Sequence, residues 1–235
     1  MKLKKLIFVI LFSFFILLLW NCNSLASGDL TLNNLNYKVT LNSDGTANVT
    51  EIWDISIEDT NTLFKTFKLN QGNFSGFKDV SLVETTNGTR KEFTQIYQEM
   101  YHVTKNCFYA LNTSSSEFEI AWGVNVDGYA RRTFEMNYTI IDAVTNYADA
   151  SEFYWQFIST SSAIPAKKVT GTITLPTEVA DLNDLHVWAH GPLNGNIERK
   201  SNNTVYFEVD NLRSRTMLEA RVVTPTYVFA NNENT

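Results

Sequence analysis

"NVTEIWDISI", residues 48–57, is the stretch whose reading decides the fold. Side chains along an extended chain point alternately to opposite faces. Val49, Trp53, Ile55 and Ile57 therefore share one face, and Glu51 sits among them. Apolar alternation of this kind marks a strand with one side in a core and the other in water. A lone carboxylate on such a face is costly unless it is paired. Glu51 is thus expected at a sheet edge or bulge, or against an arginine, with Arg132 and Arg221 as candidates.

The same period runs outward in both directions. "LNYKVTL" aligns Leu35, Tyr37, Val39 and Leu41, and "EFEIAWGVNV" aligns Phe118, Ile120, Trp122, Val124 and Val126. "TFEMNYTI" gathers Phe134, Met136, Tyr138 and Ile140, and "VTGTITL" sets Val169, Gly171, Ile173 and Leu175 against three threonines. Asp-Gly at 44–45 and at 127–128 and "LNGN" at 193–196 supply turn signals. Short strands at regular spacing predict an all-β protein, an antiparallel β-sandwich. The serine-rich break at 159–165 divides it into a module over 29–158 and a smaller one over 164–229. The smaller module is short for an independent core and is expected to pack on the first as a second lobe.

The ends carry different information. Lys2, Lys4 and Lys5 precede the apolar run "LIFVILFSFFILLLW", and Ser24-Leu25-Ala26 offers small residues before a cut. That is the pattern of an export signal over residues 1–26, cleaved after Ala26. Residues 230–235 read as a disordered tail. Nineteen basic residues, three of them in the signal, stand against 25 acidic ones, so the mature balance is −9. An acidic chain without a basic patch is a poor partner for nucleic acid. Only Cys107 follows the cut, so no intrachain disulfide is expected and stability must come from packing.

"DGTANVTEIWDI" and "RRTFEMNYTIIDAVTNYADASEFYWQFI" together resemble the domain-of-unknown-function 2207 family, predicted bacterial membrane proteins. The matching elements are Asp44-Gly45, Val49 with Glu51, Tyr138-Thr139, Tyr147 with Asp149, Glu152 through Trp155, and Leu175-Pro176. The resemblance implies an extracytoplasmic β domain behind a signal peptide, followed by membrane spans. Membrane association is then expected through a C-terminal span that this sequence lacks. The family supplies no catalytic residues to carry over.

Four residues are candidates for ligand binding. "LHVWAH" puts His186, Trp188 and His190 on one strand face, where they could stack on a sugar or pack against a neighbouring module. The two histidines stand about 13 Å apart on a strand, too far to share one ion. "ADASEFYWQF" clusters Phe153, Tyr154, Trp155 and Phe157; read as a strand, Phe153, Trp155 and Phe157 face one way and Tyr154 and Ile158 the other. The expectation is a segment wedged between packed layers, with Trp155 as the ligand candidate and Tyr154 as a structural one. Asp142, Asp149 and Glu152 raise a glycosidase reading, which needs two carboxylates flanking a bond. No nucleophile, phosphate-loop or metal motif supports an enzyme, and no cofactor is expected. The function expected is binding or scaffolding at the bacterial surface, toward a protein or another envelope component. The alternatives are a carbohydrate-binding module and, behind it, a glycoside hydrolase.

Overall fold

The computed structural model describes residues 29–229. The signal peptide read over 1–26 and the tail at 230–235 lie outside the described residues. In chain order the strands are β1 (Leu30–Leu41), β2 (Ala47–Lys68), β3 (Gly76–Glu84), β4 (Lys91–Glu92), β5 (Thr94–Gln95), β6 (Cys107–Ser114) and β7 (Glu117–Ile141). They continue as β8 (Val144–Asn146), β9 (Ser151–Ile158), β10 (Ala166–Thr174), β11 (His186–His190), β12 (Asn196–Ser201), β13 (Thr204–Leu212) and β14 (Leu218–Thr224). The remaining regular structure among the described residues is three short 3-10 turns. The fold is all-β, as the alternation requires.

Two sheets share the strands. The larger has ten, in the order β12-β13-β10-β1-β2-β7-β3-β4, with β6 on β7 and β5 on β6; the smaller runs β11-β14-β9-β8. The smaller sheet is antiparallel throughout. The larger is mixed: β1 lies parallel to β10, Leu35 beside Val169 and Val39 beside Ile173, and the short β5 lies parallel to β6. That corrects the all-antiparallel expectation. The break at 159–165 carries the chain from β9 in the smaller sheet across to β10 in the larger. Strands from beyond the break hydrogen-bond into both sheets, β10 to β1 and β14 to β9.

β2 and β7 are the long members, and each is used twice. The first half of β2 pairs with the second half of β7, Ile55 opposite Arg132, and the second half of β2 pairs with the first half of β7, Phe64 opposite Ala121. Between the halves the register slips on either side of Thr60. Asp59 takes a positive φ of 42°, Gly128 one of 73°, and the Gly128 N–H donates to Asp59 Oδ1 at 2.7 Å. Asp127-Gly128 is therefore a bend inside one strand, where the sequence reading placed a turn. Asp44-Gly45 does close the β1–β2 hairpin, with the Asn42 N–H donating to Thr46 O at 2.9 Å.

The core lies between the sheets. Leu35, Tyr37, Val39 and Leu41 of β1 meet Phe153, Trp155 and Phe157 of β9, all buried. Tyr37 and Phe157 pack edge to face with ring centroids 4.8 Å apart, and Trp53 and Trp122 do so at 5.3 Å. Such geometry suits the ring quadrupoles and adds to the large area each aromatic removes from water. The aromatic run in β9 is not wedged between layers on both sides: Tyr154 points to solvent, so this strand has one buried face.

Candidate binding face and intersheet cleft

The outer face of the smaller sheet gathers several of the candidates. Pairing of β11 with β14 sets Trp188 opposite Arg221, and pairing of β14 with β9 sets Arg221 opposite Tyr154. One row across three strands thus reads Trp188, Arg221, Tyr154. The row on one side holds His190, Glu219 and Gln156, and the row on the other holds His186, Val223 and Glu152. Trp188 is 45% exposed, Tyr154 39%, and Tyr147 in the turn after β8 49%.

These groups hold one another in place. The Arg221 guanidinium lies 5.5 Å from the Trp188 ring centroid, a cation–π distance. The His186 ring stacks on the same indole at 6.0 Å and 26°. Arg221 pairs with Glu152, whose Oε2 also accepts from the Tyr147 hydroxyl at 3.0 Å. Gln156 Nε2 donates to Glu219 Oε1 at 2.7 Å. Partial burial, reinforced by Glu219, pushes the Tyr154 hydroxyl up to about 12, so it stays a hydrogen-bond donor at ordinary pH. The face offers aromatic rings beside planar donors and acceptors, with one guanidinium against two carboxylates. Among the described residues no group of three His, Cys, Asp or Glu side chains could hold a metal ion.

Glu51 and Trp155 lie elsewhere, in the core. Glu51 is fully buried in the middle of the larger sheet, between Tyr37 of β1 and Met136 of β7, not at an edge or bulge. Its partner is a lysine. Lys65 Nζ pairs with Glu51 Oε1, the Tyr138 hydroxyl donates to the same oxygen at 2.6 Å, and Trp53 Nε1 donates to Oε2 at 2.9 Å. Neither proposed arginine serves: Arg132 pairs with Glu84 at 3.2 Å, and Arg221 belongs to the outer face. Lys65 Nζ spends its other donors on Phe157 O at 3.2 Å and Tyr37 Oη at 3.3 Å. Burial lowers the Lys65 pKa, against the pull of Glu51. The same burial, with Glu51 alongside, raises the Tyr37 and Tyr138 hydroxyls well above their ordinary value.

Lys65 was missed in the sequence although a signal existed. Leu63, Lys65 and Phe67 alternate as strictly as Val49, Glu51 and Trp53. Each segment thus carries one charge of opposite sign on an apolar face. The bend in β2 folds one segment over toward the other.

A cleft opens above Lys65 between the sheets. It has a volume of about 210 Å³ and runs between the β2–β3 loop and the β9–β10 loop. Leu32, Leu35, Trp53, Phe67, Trp155 and Phe157 form its apolar wall. Trp155 is 5% exposed, and its indole Nε1–H is buried without an acceptor. The acids of the glycosidase reading do not line this cleft. Asp142 accepts from Ser75 Oγ, and Glu152 belongs to the outer face.

The family described as predicted membrane protein (DUF2207) N-terminal domain matches residues 31–224. No curated protein matches the sequence. Among solved structures, a "putative protease" from Parabacteroides distasonis aligns at a TM-score of 0.47 and 13% identity, over 83% of this chain and 40% of that one. A "putative nutrient binding protein" from Legionella pneumophila aligns at 0.47 and 11%, over 86% and 68%. The M1 zinc metallopeptidase of Deinococcus radiodurans aligns at 0.35 and 10%, over 82% and 42%. The chain thus spans less than half the length of the first and third.

Proposed function

The chain belongs to the DUF2207 family of predicted membrane proteins, of which it carries the N-terminal domain, and from that premise we propose an extracytoplasmic binding domain at the outer face of a bacterial membrane. Its binding surface is the outer face of the smaller sheet, and its ligand is a neutral saccharide of the cell envelope. The observation that carries this reading is the cross-strand row Trp188, Arg221, Tyr154, solvent-accessible along its length. Aromatic rings accept the apolar C–H face of a sugar, and the flanking Glu152 and Gln156 stand beside them to meet its hydroxyls. The near balance of charge suits an uncharged polyol better than a phosphate or a polyanion. The domain is a binder rather than a catalyst, with no cofactor.

The test is retention on purified cell-wall polysaccharides and on a glycan array. Wild type should be retained by at least one neutral glycan, and Trp188→Ala and Tyr154→Ala should each lose most of that retention. Failure of the wild type on every polysaccharide, or full retention by both variants, would overturn the reading.

A further inference from the structure

The intersheet cleft is a second site, independent of the outer face. We propose that it binds a single medium-chain fatty acid, its chain against the apolar wall and its carboxylate at the mouth.

Two observations point to that occupant. The first is size and wall chemistry. At about 210 Å³ the cleft is smaller than the sites that hold drug-sized ligands, roughly 300–1,000 Å³. It is larger than the roughly 150 Å³ apolar cavity known to take benzene. Its wall is aliphatic and aromatic, so what fits is one slim apolar chain.

The second is the polar part of the lining. At the mouth it is Lys68, Gln71, Ser161 and Ser162, and the lining includes no carboxylate; Lys65 lies at the floor with its donors already committed in the core. Lys65 and Lys68 each pair with a glutamate, Glu51 and Glu117, that lies outside the lining. A mouth that carries the Lys68 ammonium and no carboxylate of its own favours an anionic head and disfavours a cation.

Membership in a family of predicted membrane proteins puts acyl chains within reach of such a site.

Trp53 and Trp155 line the cleft, so intrinsic fluorescence reports its filling. The experiment titrates the purified chain with decanoate brominated at its terminal carbon, and repeats the affinity by calorimetry with plain decanoate, decanol and decylamine. Saturable quenching is expected, with decanoate bound about tenfold more tightly than decanol and decylamine weaker still. Ile164→Phe places a ring at the mouth, where the native side chain is only partly buried, and should weaken decanoate at least tenfold. Unchanged near-ultraviolet circular dichroism in this variant separates lost binding from lost folding. Absence of saturable quenching, equal affinity for the amine, or insensitivity to Ile164→Phe would each overturn the proposal. Binding to phospholipid vesicles without binding to decanoate would overturn it as well. Trp188→Ala should leave decanoate binding unchanged, so failure here and failure of the saccharide reading are distinguishable.

Discussion

Glu51 and Lys65 lie on the same strand, fourteen residues apart, yet meet as an ion pair inside the core. A straight strand would hold them more than 40 Å apart at about 3.3 Å per residue. The bulges around Thr60 bring them together, so the pair and the bend specify each other. Removing one partner leaves an uncompensated buried charge, which typically costs about 3–5 kcal/mol. Glu51→Ala should therefore lower stability by about that amount in urea unfolding. The double variant Glu51→Leu/Lys65→Met should lose less than the sum of its two single changes. Strict additivity would show that the pair is not coupled.

Gly171 sits opposite Phe207 on neighbouring strands, and a Cβ added there would lie 2.1 Å from the phenyl ring. The ring cannot swing away freely, since Phe157 packs on it at 4.7 Å and Tyr37 at 6.4 Å. Gly171→Ala should cost about 1–3 kcal/mol as an overpacked core. Phe207→Leu in the same chain should recover part of the loss, measured as the thermal midpoint.

The sign of the pH dependence follows from buried and paired groups. Tyr37 and Tyr138 have folded pKa values above the ordinary 10.0. Their contribution is fully present below pH 10 and is lost as pH rises through the folded values. Lys65 acts with opposite sign: its pKa is lowered from 10.5, so the cost of its buried ammonium shrinks as pH climbs toward that value. Asp54, hydrogen-bonded to Arg131, and Asp44, hydrogen-bonded to Thr46, are held below 3.8. Their contribution is present above 3.8 and is lost as pH falls through the folded values. Urea midpoints should accordingly fall below pH 4 and above pH 10. Tyr138→Phe should flatten the alkaline limb and Asp54→Asn the acid one. Limbs unchanged in these variants would assign the titration to other groups.

Trp188→Ala should leave stability within about 0.5 kcal/mol of wild type, the usual range for an exposed side chain. Its Arg221 neighbour keeps the pairing with Glu152. A large drop in the thermal midpoint would make Trp188 a packing residue and not a contact residue.

Period-two patterning made the strands and their buried faces legible, because burial acts on alternate side chains independently of which strand lies next door. Val49, Trp53, Phe134 and Tyr138 are all buried where alternation put them. Pairing was not legible. Nothing local distinguishes a β1 that pairs with β10 in parallel from one that meets only antiparallel neighbours, since the deciding contacts are far apart in sequence. Partner choice for Glu51 failed for the same reason: the demand for a cation could be read from "VTEIW", but its source depends on a bend within β2. On β11 the alternation of His186, Trp188 and His190 was visible. That Arg221 and Tyr154 complete their row follows only from the β14 register.

The parallel seam between β1 and β10 also governs the order of assembly. Asn36 Nδ2 donates to Thr170 Oγ1 at 2.7 Å across 134 positions of chain. The first strand can find β2 early, but its other flank stays open until most of the polypeptide is available. Contacts of such long range make folding slow, in the millisecond-to-second regime of β-rich topologies. A nascent copy therefore passes through a stage in which the central strands of its larger sheet carry an unzipped edge, open to capture by another strand.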